Sequence, residues 1–273
     1  MGAHVRHAAT LVKTNKNIDP GDVLALLREV YAEGIVTREE AEELLAFDRS
    51  LAQPSAAWTD FIAATIADHV LLRTAPIGLI DEGKVKWLVA ALAGESGRAS
   101  AGGLAAVLRM VESAGEAPTE LLAFAIAQLR SAVVSGKRRP SSIPIPRPHS
   151  ADGAVAATLR CILFAGSGAV SRAEAEALFD LHDAVAGGTN HAEFERLFIN
   201  AIVHHLLARG SHAVPERRGC LAAAAPWANM QGKVLGGDDQ AWLASRIMRD
   251  GKPTVAERAL LQFFAGGAGE CAA

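Results

Sequence analysis

The chain has 273 residues, 50% of them apolar and 21% charged, with a formal net charge of −3. That length can bury the core of one large domain or two of ordinary size; aromatic residues reach only 5% and β-branched ones are too sparse for a large sheet, so the expected fold class is all-α. The charge balance provides no broad basic field for nucleic acid, and Cys161, Cys220 and Cys271 form neither a disulfide framework nor a finger spacing.

From the N-terminus, Met1–His7 lacks the pattern of a signal peptide, and no apolar run is long enough to span a membrane. The expectation is a cytoplasmic protein with no membrane span. Asp19-Pro20 is a cap followed by a first-turn proline, opening a helix with Val23, Leu27 and Val30 on one face. Thr37 caps a second helix with Ala41, Leu44, Leu45 and Leu51, and Pro54-Ser55 opens a third containing Trp58, Phe61, Ile62, Ile66 and Leu72. Residues 19–73 thus form a three-helix unit, and 82–135 repeat the order with helices around Trp87–Leu92, Ser100–Val111 and Thr119–Leu129.

Residues 136–150 contain Lys137-Arg138-Arg139 and four prolines, as expected of a stiff linker. Two further units follow at 152–209 and 237–265, separated by an insertion at 210–237 that holds His212, Cys220 and Trp227. The units are marked by a Gly followed three residues later by a helix-capping Ser or Thr: Gly34/Thr37, Gly97/Ser100, Gly168/Ser171 and Gly251/Thr254. Three of them continue to a capping-box glutamate, Glu40, Glu174 and Glu257. The pattern predicts two duplicated helical-bundle halves, 1–135 and 151–273, with EF-hand-like turns. Those turns are poor in calcium ligands: with Gly34 as the sixth loop position, Tyr31 falls third, and the turn at Gly168 offers Leu163 and Ala165 as ligands. Scaffolding is the better reading of these turns.

Aligning the units exposes polar residues in otherwise apolar columns. Asp48 continues the stripe Ala41, Leu44, Leu45, and its counterparts are Val111, His182 and Ala265. His69 shares a face with Ile62 and Ile66, and its counterparts are Ser131 and His205. Charged or polar groups on a core face are costly unless paired or coordinated. Two readings stay open: hydrogen-bonded core residues, or a metal site in which Asp48, His69, His182 and His205 converge, with Asp68, Asp183 and His204 as outer partners. Such a set suits zinc or non-haem iron. No phosphate loop, nucleophile elbow or HExxH is present, so no nucleotide cofactor is expected. Trp58, Trp87 and Trp242 fall at core spacing, leaving Trp227 as the exposed contact for a protein partner docking on the insertion.

Glu33-Gly34-Ile-Val-Thr37 through Glu40 to Leu44, with Asp250-Gly251-Lys-Pro-Thr254 through Glu257 to Leu260, resembles the helical repeats of the TerB-like, tellurite-resistance-associated family. That resemblance implies an all-helical cytoplasmic protein linked to metal or chemical stress, binding metal through acidic residues. The inward histidines depart from such an acidic surface site. A metal-associated stress or scaffold protein is the leading reading, beside a non-haem metal enzyme and a metal-free interaction module.

Overall fold

The computed structural model describes residues 18–33, 37–52, 54–135, 149–210, 213–224, 226–227, 230, 233–249 and 251–265, with the backbone alone for 29–33. The turn at Gly34, the histidines His4, His7 and His212, Cys271 and the basic run Lys137–Arg139 lie outside them. The described residues form twelve α-helices and no strand. In chain order they are α1 Pro20–Glu33, α2 Arg38–Ser50, α3 Ala56–Asp68, α4 Glu82–Ala93, α5 Ala101–Ser113 and α6 Thr119–Ser135, then α7 Gly153–Phe164, α8 Arg172–Val185, α9 Ala192–Arg209, α10 Arg217–Ala222, α11 Gly237–Ile247 and α12 Val255–Ala265. None of them is long and apolar enough to cross a membrane.

The starts of these helices follow from local chemistry. Thr37 and Ser171 each close a full capping box with Glu40 and Glu174, and Thr254 and Glu257 exchange the same two bonds, at 2.7 and 3.2 Å. Each box satisfies backbone N–H groups that the first helical turn leaves without partners. Gly97, Gly168 and Gly251 have φ of 68°, 66° and 80°, so at these turns glycine supplies a left-handed backbone that a side chain would strain. In α2 the apolar stripe is as expected: Ala41, Leu44, Leu45 and Asp48 are buried together. In α1 the buried positions are Val23 and Leu26, with Leu27 only partly covered. A π-helical turn, His69–Arg73, continues α3; its wider winding changes the face presented, and Leu72 is exposed while His69, Val70 and Leu71 are buried.

One mode of packing recurs. The third helix of each unit lies against the second helix of the next: α3 on α5, α6 on α8, α9 on α12. At the first of these contacts a Cβ on Gly102 would lie 2.6 Å from the Asp48 carboxylate and 2.9 Å from the Ile62 side chain, so the missing side chain sets how closely α5 approaches. The second contact joins the segments on either side of 136–150. There, α6 packs on both α7 and α8 and α5 packs on α7, Ala117 N–H donates to Ala165 O at 2.8 Å, and Arg130 donates to Asp180 O at 3.0 Å. The core continues through this junction.

The insertion is anchored from within. Arg217, on the short helix α10, is 2% exposed; it donates to Leu163 O at 2.8 Å and to the fully buried Glu174 at 2.5 Å. Trp227 is 5% exposed, its ring 5.9 Å from that of His204. This corrects the expectation of an exposed contact: the indole is a large apolar surface, and the insertion folds back so that His204 covers it.

Candidate metal centre

The four residues expected to converge are each buried but occupy four different settings. Asp48 accepts from the Trp58 indole at 2.8 Å and from the Ser100 hydroxyl. Burial pushes its pKa up, against the hydrogen bonds from Ser100, Trp58 and the Gly103 amide. His69 lies beside Trp87, ring centroids 5.4 Å apart, with Thr74 Oγ1 at 3.5 Å from Nε2. His205 donates from Nδ1 to Val170 O at 2.7 Å, while the Val170 N–H donates to His204 Nδ1 at 3.4 Å. Neighbouring histidines therefore hold the N–H and the C=O of one residue, Val170, and His204 Nε2 fastens Pro215 O at 3.3 Å. Burial lowers the pKa of both, favouring the neutral rings these bonds require. The facing pairs Asp48/His69 and His182/His205 are replaced by these separate partnerships. Asp68, the remaining outer candidate, ends α3 and joins no three-ligand group.

His182 is different. A ring nitrogen of His182 and carboxylate oxygens of Asp183 and Glu257 lie within 4.8 Å of one another, the one such group of three His, Cys, Asp or Glu ligands among the described residues. His182 and Glu257 are each 1% exposed, and Asp183 is partly exposed. The last turn of α8 provides His182 and Asp183, and the capping box at the start of α12 provides Glu257.

The tautomer of His182 follows from its other neighbour. Nε2 lies 3.2 Å from Glu195 Oε2, and Asn190 donates to Glu195 Oε1 at 2.7 Å. Burial would raise the Glu195 pKa, but the hydrogen bonds from His182 and Asn190 outweigh it and hold the group below its ordinary value. An ionised carboxylate only accepts, so Nε2 carries a proton; a neutral ring would then keep its lone pair on Nδ1. That nitrogen is buried and has no hydrogen-bond partner. Phe198 stacks on the ring at 4.1 Å and fixes its plane. Burial pushes the Asp183 pKa up and the Glu257 carboxylate adds to this, while Arg246, Arg249 and His182 oppose it. Arg249 lies 3.6 Å from Asp183 and 2.7 Å from Asp180.

The capped start of α5 holds a different solution. Aligning Gly97 with Gly251 puts Ser100 on Thr254 and Gly103 on Glu257. Where α5 lacks a capping-box carboxylate, Asp48 reaches in from α2 and accepts from Ser100 instead. Where α12 has that carboxylate, α8 presents His182 to it. Asp48 therefore meets the capped start of α5 through Ser100, and His182 lies beside Glu257 in the first turn of α12. Glu257 and Glu195 escaped sequence reasoning: Glu257 was accounted for as a cap, and Glu195 lies beyond the reach of any repeat signal. No family model, curated protein or solved structure matches this chain.

Proposed function

We propose that the protein binds one divalent transition metal, zinc or ferrous iron, through His182, Asp183 and Glu257, and serves as a metal-associated stress or scaffold protein. The observation that carries this reading is the buried, unpartnered Nδ1 of His182, on a ring that brings one nitrogen within 4.8 Å of carboxylate oxygens of Asp183 and Glu257. One imidazole and two carboxylates form a donor set suited to these ions. The bond from Nε2 to Glu195 is the outer contact that orients a metal-bound histidine and increases its basicity. The cavities beside Asp48 and beside Trp87 include none of the three residues in their linings. The TerB-like resemblance of the capped turns leads toward the same metal-linked, cytoplasmic role. Duplication of the halves is supported by contacts that recur: Arg38, Glu42, Trp87 and His69 pair as Arg172, Glu176, Trp242 and His205 do.

Calorimetric titration with zinc sulfate tests the reading. Wild-type protein is expected to take up one equivalent, and H182Q or E257Q to weaken binding by tenfold or more. H205Q, whose ring serves Val170, is expected to bind as wild type does. Absence of saturable uptake, or uptake indifferent to H182Q and E257Q, would overturn the proposal.

A further inference from the structure

A half-open cavity of about 260 Å³ lies between the π-helical turn and α4, far in sequence from His182. Trp87, Val70, Ala75 and Gly83 provide its apolar wall, and Arg38, His69 and Thr74 its polar rim. At its base Lys84, 5% exposed, donates to the carbonyls of Val70, Pro76 and Leu79 at 2.8, 2.6 and 2.6 Å. Those bonds hold the loop after α3 in place as one edge of the cavity. Asp81, also in the lining, is occupied in capping α4.

The later half contains the same arrangement in a tighter form. Arg172 lies 4.0 Å from the Trp242 ring centroid, and Trp242 is 7% exposed. In the earlier half Arg38 stands 5.4 Å from the Trp87 centroid, and Trp87 is only partly buried. Both indoles donate to a glutamate at 2.6 Å, Glu42 and Glu176 respectively, so the tryptophans are oriented alike. The difference lies in the guanidinium, which rests on the ring in one copy and is raised from it in the other.

We propose that the cavity at Trp87 binds a small aromatic carboxylate, its ring against the indole and its carboxylate on Arg38. An apolar cavity of about 150 Å³ accepts benzene, so this one has room for a single ring and one polar substituent. Arg38 is bridged to Glu42 through Nε at 3.2 Å, which leaves its two terminal NH2 groups to meet a ligand, and these are suited to bind a carboxylate in a two-pronged fashion. The indole face supplies aromatic contact of the kind that dominates small-ligand sites.

Sodium benzoate is the probe, followed by the indole N–H resonance of Trp87 in ¹H–¹⁵N spectra of the full chain. Saturable movement of that resonance is expected, with benzylamine binding at least tenfold more weakly. R38Q, at a largely exposed position, is expected to weaken benzoate by about tenfold, and R172Q to leave it unchanged. No saturable shift, equal affinity for benzylamine, or a benzoate affinity untouched by R38Q would overturn the proposal. Zinc uptake at His182 is independent of each result.

Discussion

Asp48, Glu174 and Glu257 are three carboxylates buried against the capped starts of helices, and each is accommodated differently. Glu174 has Arg217, Glu257 lies near His182, and Asp48 has neutral donors, Trp58, Ser100 and the Gly103 amide. The raised pKa of Asp48, set by burial, has a defined consequence for stability. The folded state holds the Asp48 proton more tightly than the unfolded state, so stability falls as pH rises from the unfolded pKa to the folded one and is level above it. D48N removes that dependence. Urea unfolding at pH 4 and pH 7.5 is expected to show the stability of D48N relative to wild type improving toward the higher pH; a difference independent of pH would contradict the assignment. The sequence made Asp48 and His182 visible because both interrupt an apolar stripe. It could not pair them with partners, since helical periodicity specifies a face and not what lies opposite.

Among the elements, helices with both a cap and an apolar period were legible, and α2, α8 and α12 begin at the capping boxes read from the sequence. The insertion was not. Its anchors include one long-range ion pair, Arg217 with Glu174, and the fit of the guanidinium against Gly166, where a Cβ would lie 2.4 Å from it. Neither contact has a local pattern. R217M leaves Glu174 buried without a counter-charge and is expected to cost about 3–5 kcal/mol in urea unfolding. Combining it with E174Q should recover part of that loss, because the charge is then gone. A loss from R217M below about 1 kcal/mol would mean that the pair does not hold α10 in place.

For the whole molecule, the proline-rich segment reads as a boundary in the sequence, yet α6 packs across it on α7 and α8. The small residues along α6, such as Ala125 and Ala132, permit a close helix contact that composition does not announce. Unfolding followed at reporters on either side of residues 136–150 is therefore expected to be coincident, with Trp87 and Trp242 changing at one denaturant midpoint. Two separated transitions would show halves that fold independently. If His182, Asp183 and Glu257 hold zinc, the ion joins α8 to α12, and a hundredfold excess over its Kd should add about 2.7 kcal/mol of stability.

The central claim rests on the proton of a single ring, and the ¹⁵N chemical shifts of His182 report it directly. Without metal, the account requires a neutral ring with hydrogen on Nε2 and a bare Nδ1, and addition of one equivalent of zinc is expected to move Nδ1 while the Nε2 proton is retained. A ring protonated at both nitrogens at neutral pH, with shifts that zinc leaves unchanged, would instead make His182 an imidazolium bridging Glu195 and Glu257, and would contradict the metal centre.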